Sequence, residues 1–376
     1  MEKVYVLGGL RSHIGLKNGI FKNIPAEALA AGLLKKLKEK YPFVKPEEII
    51  GGNAVGTGGN ITRLAALQAG MDETVPCLTL DVQCASGAAA IELAYAKIRS
   101  GLAQVIIAGG FESSSLQPTR VYAKQDARYT AAGFKVAQFS PDTNSPLAML
   151  EGAERTAKQA GIERAELDRF VLRSHSLAQV AQEKAIFTKI ITPLFQSTKD
   201  EGIRPGMNER LVARMPLLLG KNTSLTAANS CLINDGAAFV ILMSASFANE
   251  AGLTPTLEII SAADGGVDPR RSPLGALVVG EKVLQKAGLT MENMAAIEYN
   301  EAFAVISALF ARKYPKLLSR YNQWGGALAY GHPYGASGAI LLLHLEVALQ
   351  GKLGSYGLLA IAGAGGMGTA IIVKKV

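Results

Sequence analysis

Residues 75–94 read VPCLTLDVQCASGAAAIELA, and this stretch decides the fold. The apolar, β-rich run 75–82 leads to Cys84, which is followed by the strong helix formers of 85–94. The pattern predicts a strand that turns into a helix, with the sulfur of Cys84 at the helix N-terminus. Free N–H groups and the partial positive charge at that end favour a thiolate, so we expect a lowered thiol pKa and a nucleophile. The alternative is a buried cysteine that serves as a small hydrophobe.

The rest of the chain has the composition of an ordinary globular protein. Its 376 residues, 49% hydrophobic and 19% charged, are enough for a large core and two or three domains. Short apolar strand-like runs alternate with alanine-rich helical stretches, which predicts an α/β fold with helices on both faces of the strands. From Ser113 to about Leu225 the pattern loosens around six prolines. We interpret this segment as an insertion that contains two amphipathic helices, 146–160 and 164–188.

Charge and cysteine content argue against several classes of protein. The net charge is +8, but basic and acidic residues are interspersed, so we expect no nucleic-acid partner. The basic stretch 120–135 is interpreted as a solvated loop, with contact to an anionic ligand or a partner subunit as alternatives. The apolar run 339–349 is too short to span a membrane. Three cysteines without zinc or disulfide spacing, and a strand-like run directly after Lys3, favour a cytoplasmic protein without a metal site.

The tetrapeptide ASGA occurs twice, at 85–88 and at 336–339. Each copy opens an aliphatic helix, passes a glycine and runs into a strand with glycines at its end, at 107–110 and 361–366. The shared order and spacing indicate a gene duplication. Two equivalent halves packed back to back would bring both helix N-termini to one central site. We therefore expect Cys84 to face the residues just before the second copy.

Those residues, 324–335, read WGGALAYGHPYG and contain His332. Opposite a cysteine at a helix start, an imidazole suits acid/base chemistry or oxyanion stabilisation, and a structural hydrogen bond is the alternative. Asn300 follows the strand-like run 295–299 and precedes a helix. Its amide either caps that helix or orients a water or a substrate carbonyl. For Glu301 we expect a structural role.

Across nearly the whole chain these motifs resemble the thiolases, acyltransferases that act on coenzyme A thioesters. The resemblance rests on the segment around Cys84 and on five further motifs: GGFES at 109–113, NDGA at 234–237, NEAF at 300–303, GHP at 331–333 and GGMG at 365–368. It implies a five-layer αβαβα fold with two duplicated halves and an inserted loop domain that shapes the coenzyme A tunnel. The implied domains are an N-terminal half (1–112 with 226–250), the loop domain (113–225) and a C-terminal half (251–376).

The resemblance also implies partners and a reaction. Homodimers would pair through the strand before Cys84 and would often double to homotetramers, and no cofactor is needed besides the coenzyme A thioester substrates. Cys84 would carry the acyl group, and His332 with a water held by Asn300 would stabilise the enolate oxygen. The backbone N–H groups of Cys84 and Ala364 would stabilise the tetrahedral oxyanion. The pantetheine arm of coenzyme A would be bound by three residues: Met149, Cys231 and Phe303.

The C-terminal turn departs from the family pattern. Thiolases usually read Cys-x-Gly-Gly-Gly-x-Gly here, and that cysteine moves the α-proton, whereas residues 362–368 of this chain read AGAGGMG. Ala362 has no proton to give, and the methyl group of Ala364 narrows the oxyanion site if its φ is positive. Loss of a general acid/base commonly costs about 10²–10⁴-fold in rate. Of the remaining thiols, only Cys231 is a candidate substitute, and a packing role is its alternative.

Three functions therefore stay open. The first is a working thiolase whose second acid/base is supplied differently, and it is favoured because Cys84, His332 and Asn300 are all retained. The second is an acyltransferase or slow thioesterase that acylates Cys84 without forming carbon–carbon bonds. The third is a non-catalytic protein that binds acyl-CoA on the same scaffold, since a fold alone does not determine activity.

Overall fold

A computed structural model describes residues 2–141 and 145–376. In these residues the strands are β1 (Val4–Arg11), β2 (Gly15–Leu16), β3 (Glu48–Gly52), β4 (Cys77–Leu80), β5 (Val105–Ser113), β6 (Asn234–Ser244), β7 (Leu257–Gly266), β8 (Met294–Tyr299), β9 (Tyr356–Gly363) and β10 (Met367–Lys375). The α-helices are α1 (Ala26–Lys40), α2 (Ile61–Gln68), α3 (Ser86–Arg99), α4 (Ala148–Gln159), α5 (Arg164–Glu183), α6 (Glu209–Ala213), α7 (Ala245–Glu250), α8 (Leu274–Ala287), α9 (Ala304–Lys313), α10 (Ala327–Tyr330) and α11 (Ser337–Ala348).

The strands form a mixed sheet in two halves. Their order is β4-β3-β5-β6-β1-β7-β10-β9-β8, and β2 pairs with β6. β3 lies parallel to β4 and β5, and β8 lies parallel to β9, while the remaining pairs are antiparallel. The two halves join where β1 pairs with β7 over only three residues, 4–6. Each half thus repeats the same plan, a parallel portion continued by antiparallel strands.

Two helices lie between the sheet halves. α3 contacts β3 and β5 of the first half and β7 and β10 of the second, and α11 contacts β5 and β6 as well as β8 and β9. α1 and α2 cover the outer face of the first half, and α8 covers the outer face of the second. This order gives five layers, helix–sheet–helix–sheet–helix. The predicted α/β fold with covered strands is confirmed, and β5 and β6 are buried along their whole lengths.

Small residues let the two central helices start in contact. A Cβ placed on Gly338 would lie 2.1 Å from the Ala88 nitrogen, and one placed on Gly87 would lie 2.5 Å from the Gly335 oxygen. Real Cβ atoms are not found at such distances from backbone atoms. The repeated ASGA tetrapeptide is therefore a packing requirement, and it brings the residues before each helix to the centre of the molecule.

The connection between β5 and β6 holds the two amphipathic helices that the sequence predicts. They are α4 and α5, but α5 ends at Glu183 and not at residue 188, because the chain turns at Ala185, where φ is +52°. A buried ion pair ties this connection to β1. Arg11 donates to both carboxylate oxygens of Asp200, at 2.9 and 2.8 Å. The proposed loop-domain limits, 113 and 225, fall near the ends of the connection and remain a prediction.

Candidate active site

Cys84 lies in the turn between β4 and α3, as predicted. The turn is fixed by side chains on both sides of the cysteine. The Asp81 carboxylate accepts from the N–H and the side-chain amide of Gln83, which holds a left-handed φ of +52°. The Ser86 hydroxyl accepts from Val82 N–H at 2.8 Å and donates to the Gln83 carbonyl at 2.6 Å. These hydrogen bonds fix the backbone turn that carries the sulfur.

The prediction that the pKa of Cys84 is lowered is wrong. Cys84 is 8% exposed, and burial raises the pKa of its thiol to about 12. The nearby Glu112 carboxyl raises the pKa further, while the N–H groups of Cys84 and Ala364 lower it. These two backbone N–H groups act in the predicted direction, but desolvation outweighs them. A thiol with this pKa is protonated at neutral pH, so it could act as a nucleophile only with a base to take its proton.

His332 lies in the same cavity as Cys84. Its backbone N–H donates to Asn234 Oδ1, and its Nδ1 lies 2.5 Å from the Ser337 hydroxyl. Because that hydroxyl donates to the Pro333 carbonyl at 3.0 Å, it accepts from Nδ1–H. The lone pair of the neutral imidazole is therefore on Nε2. Burial lowers the pKa of His332 to about 3, so the ring is uncharged at neutral pH and Nε2 can accept a proton.

Asn300 is the partner of that imidazole. Its Nδ2 lies 3.3 Å from His332 Nε2, and its backbone N–H donates to the Ala360 carbonyl. α9 begins only at Ala304, so the alternative in which Asn300 caps the helix is wrong. Glu301 has the structural role expected for it. Its buried carboxyl accepts from the hydroxyls of Ser174 and Ser307.

The glycine-rich turn after β9 brings Ala364 to the cavity. In the described part of the chain Ala364 is not among the residues with positive φ, whereas Gly365 and Gly366 have φ of +83° and +79°. The methyl group of Ala364 is therefore accommodated without backbone strain. Ala362 is buried, and its methyl carbon lies 3.6 Å from a Cβ placed on Gly275 at the start of α8. It offers no group that could move a proton.

A cavity of about 410 Å³ is lined by Cys84, His332 and Ala364, whereas Asn300 is not among its lining residues. The three residues expected to bind pantetheine, Met149, Cys231 and Phe303, all line it together with Cys84, His332 and Ala364. Its walls also include Arg120 and Lys135. The basic stretch interpreted as a solvated loop therefore contributes two cationic side chains to the cavity. Their positive charges favour an anionic ligand in the cavity.

Three residues of the site were missed or given no role. Ser337 fixes the imidazole, and Glu112 accepts from Asn53 Nδ2 and from the N–H groups of Ala54, Val55 and Gly335. Tyr334 lines the cavity and packs edge-on against His332, with ring centroids 5.0 Å apart. Their positions in the sequence could have indicated them. Ser337 is in the repeated tetrapeptide, Glu112 lies near the end of the buried strand β5, and Tyr334 is two residues from His332.

The described residues provide neither a metal site nor a membrane span. No group of three or more His, Cys, Asp or Glu side chains in 2–141 and 145–376 is placed to hold a metal ion. None of the helices in those ranges is long and apolar enough to cross a bilayer.

Comparison with known families gives matches to nearly the whole chain. Residues 4–246 match the family model "Thiolase, N-terminal domain", and residues 253–375 match "Thiolase, C-terminal domain". A Staphylococcus haemolyticus protein named "Putative acetyl-CoA C-acetyltransferase VraB" is 33% identical over 383 residues, which covers 100% of this chain and 99% of the relative. Its Staphylococcus epidermidis namesake is 34% identical over 355 residues and covers 92% of each chain.

Two solved structures share the fold over the full length. The Bacillus anthracis acetyl-CoA acetyltransferase superimposes with a TM-score of 0.93 at 29% identity, covering 100% of this chain and 99% of that one. Human mitochondrial 3-ketoacyl-CoA thiolase superimposes with a TM-score of 0.91 at 26% identity and the same coverage.

Proposed function

Because this chain belongs to the thiolase family, we propose that it is an acyl-CoA C-acyltransferase that carries the acyl group on Cys84. The observation that supports this most is the common cavity, which brings together the Cys84 thiol, the His332 imidazole and the turn at Ala364. A nucleophile, a base and an oxyanion donor are the groups that acyl transfer through a thioester needs. The substrates are acetyl-CoA, acetoacetyl-CoA or another 3-ketoacyl-CoA.

In the thiolysis direction the sulfur of Cys84 attacks the ketone carbon, C3, of a 3-ketoacyl-CoA. His332 Nε2 takes the thiol proton, so that no free thiolate has to form in the buried site. The N–H groups of Cys84 and Ala364 stabilise the oxyanion of the tetrahedral intermediate, which agrees with their effect on the pKa of Cys84. When the intermediate collapses, the C2–C3 bond breaks and leaves an acyl-cysteine.

The leaving group is the enolate of acetyl-CoA, and its oxygen needs its own donors. The imidazolium Nε2–H of His332 supplies one, and a water held by the Asn300 amide supplies another. The 3.3 Å separation of Asn300 Nδ2 and His332 Nε2 supports this pairing, because it sets both groups against one small volume. Coenzyme A then attacks the acyl-cysteine and releases the second thioester. No further cofactor takes part.

Coenzyme A is proposed to enter along the basic edge of the cavity. Arg120 and Lys135 are there to pair with its phosphates, and Met149, Cys231 and Phe303 flank the path of the pantetheine arm. We also propose a cytoplasmic homo-oligomer. β4 is an edge strand whose four residues are only half-buried, so its free backbone groups are available to pair with a second copy.

Acyl transfer without carbon–carbon chemistry is the second candidate. Ala362 favours it, because the methyl group cannot move the α-proton that cleavage and condensation both require. In that case Cys84 would still accept an acyl group and pass it to another thiol or to water.

Two measurements test these functions. Intact-mass and peptide spectra after incubation with acetyl-CoA are expected to show an acyl adduct on Cys84, and absence of an adduct would leave only a binding role. Thiolysis of acetoacetyl-CoA by coenzyme A, measured for the wild type and for Ala362→Cys, separates the first two functions. Turnover by the wild type supports the thiolase. An inert wild type that gains turnover in Ala362→Cys supports the second candidate.

A further inference from the structure

Tyr334 occupies the wall of the cavity between the two catalytic segments. It begins a short 3-10 turn, Tyr334–Ala336, two residues after His332. Its ring stands at 78° to the imidazole with centroids 5.0 Å apart, and it packs against the core cluster that contains Cys84. Tyr334 therefore lies beside the His332 imidazole and lines the same cavity as Cys84.

No group of residues 2–141 and 145–376 pairs with the hydroxyl of Tyr334. Tyr330, the other tyrosine of this segment, donates to the Trp324 carbonyl at 2.7 Å. The Tyr334 oxygen is also not among the buried side-chain atoms that lack a partner, so it is accessible at the surface of the cavity that the residue lines. A ligand atom in the cavity can therefore meet this hydroxyl.

The phenol stays protonated in this environment. Burial raises the pKa of Tyr334 well above its ordinary value, and the neighbouring groups Cys231, Cys84 and Glu112 raise it further. The hydroxyl is thus a proton donor at any working pH. Once it has lost its proton, the tyrosinate is a strong base.

Carbon–carbon cleavage requires such a donor in addition to His332. Donors to an enolate oxygen lie near the plane of the enolate, along the oxygen lone pairs. The electron pair at C2 projects perpendicular to that plane, so a group bound at the oxygen is not also placed over the carbon. His332 and Asn300 are assigned to the oxygen, and Ala362 has no proton. Among the described residues that line the cavity, hydroxyls belong to Ser230 and Tyr334. The phenol is much more acidic than an aliphatic hydroxyl, and its ring packs directly against His332.

We propose that Tyr334 protonates C2 of the departing enolate in thiolysis and that, as the tyrosinate, it removes the same proton in condensation. The role depends on the proposed thiolase reaction. The C2–C3 electron pair remains on C2 and takes the hydroxyl proton. The tyrosinate then accepts the thiol proton of coenzyme A, whose sulfur bonds to the acyl carbon as the bond to Cys84 breaks. Cys84 recovers its proton from the His332 imidazolium, and no other reactant is consumed.

The test compares Tyr334→Phe with Tyr330→Phe and the wild type. Phenylalanine keeps the ring and removes only the oxygen, and Tyr330 is a tyrosine of the same segment that does not line the cavity of the described residues and whose hydroxyl pairs with the Trp324 carbonyl. For each protein we would measure the acyl adduct on Cys84 from p-nitrophenyl acetate, deuterium exchange into the acetyl-CoA methyl group in D₂O, thiolysis of acetoacetyl-CoA and the thermal midpoint. Acylation by p-nitrophenyl acetate needs neither a proton at carbon nor a proton on its p-nitrophenolate leaving group, whereas exchange and thiolysis need the proton of Tyr334.

Tyr334→Phe is expected to lose about 10²–10⁴-fold in exchange and thiolysis while its adduct forms within about threefold of the wild-type rate. Tyr330→Phe is expected to change exchange and thiolysis by less than about tenfold. Retained exchange in Tyr334→Phe, or an equal loss in Tyr330→Phe, overturns the role. A wild type that forms the adduct but neither exchanges nor thiolyses also overturns it and leaves acyl transfer standing. A wild type without the adduct overturns the proposed function together with the role.

Discussion

The helix starts at Ser86 and Ser337 share the sequence Ala-Ser-Gly-Ala, yet each serine hydroxyl has a different task. Ser86 binds only backbone, the Val82 N–H and the Gln83 carbonyl, and so fixes the turn that carries the nucleophile. Ser337 donates to the Pro333 carbonyl in the same way, but it also accepts from the ring of His332. The duplicated scaffold thus supplies the same helix start twice.

The proposed chemistry depends on the residues just before each helix start. In the first half, a cysteine two positions before the serine reaches the cavity, and the equivalent position of the second half is Gly335. In the second half, the histidine five positions before the serine takes that place, where the first half has Asp81. The two halves therefore contribute one side chain each to the candidate active site, and Glu112 spans them by accepting from the N–H groups of Val55 and Gly335.

Removal of the first-half nucleophile is expected to have the largest effect. Cys84→Ala should lose on the order of 10⁴–10⁶-fold in turnover, because the acyl-cysteine cannot form. Cys77→Ala is the matched control, since Cys77 lies on β4 outside the cavity lining of the described residues. Steady-state acyl transfer and intact mass would measure both. A Cys84→Ala protein that still carries a covalent acyl group would show that the nucleophile lies elsewhere.

Removal of the second-half imidazole is expected to cost less. His332→Ala should lower turnover by about 10²–10⁴-fold, because both the base for the thiol and a donor to the enolate oxygen are lost. The adduct should still form, more slowly, at a rate that rises with pH as hydroxide ionises the thiol, whose pKa is about 12. Adduct formation followed by mass between pH 7 and pH 10 checks this. An adduct rate equal to that of the wild type at pH 7 would exclude His332 as the base.

The paired serine substitutions test the division of tasks directly. Ser337→Ala should reduce turnover by about 10- to 100-fold, because the ring of His332 loses the partner that fixes its proton on Nδ1. Ser86→Ala should instead cost about 1 kcal/mol of unfolding free energy through the lost backbone bonds. Kinetics and chemical denaturation of both variants give the comparison. Equal kinetic losses in the two would mean that Ser337, like Ser86, acts only on backbone.

The sequence predicts those parts of the candidate site that depend on short local motifs. The ASGA repeat predicts that the two helix starts meet, since only small residues allow the contact at Gly87 and Gly338. The places of Cys84 and His332 in one cavity follow from that contact. Met149, Cys231 and Phe303 were expected only through the family resemblance, because they lie far apart in the chain and no spacing connects them.

The parts that the sequence does not reveal depend on burial and on side-chain direction. The pKa of Cys84 was expected to fall, because the helix terminus can be seen in the sequence whereas the degree of desolvation cannot. The sequence gives no role to Tyr334 for a similar reason. A tyrosine in a glycine-rich turn can have a hydroxyl that is hydrogen-bonded within the protein or one that faces a cavity, and the sequence does not distinguish the two. The pKa of the Cys84 thiol and the hydrogen bonding of the Tyr334 hydroxyl both depend on which groups surround one polar atom in the folded protein.

The smallest expected effect on turnover concerns Glu112, the carboxyl that spans the halves, whose substitution is expected to change stability instead. Burial raises its pKa to about 7, above the ordinary value of 4.5, although four N–H groups donate to it. The folded protein therefore binds a proton that the unfolded chain has released between these values, so the contribution of Glu112 to the unfolding free energy falls as pH rises from about 4.5 to 7, by at most about 1.4 kcal/mol per pH unit. Glu112→Gln removes this slope. Urea unfolding of both proteins from pH 4.5 to 8 measures the difference, and parallel curves would place Glu112 ionised throughout, held by its four donors alone.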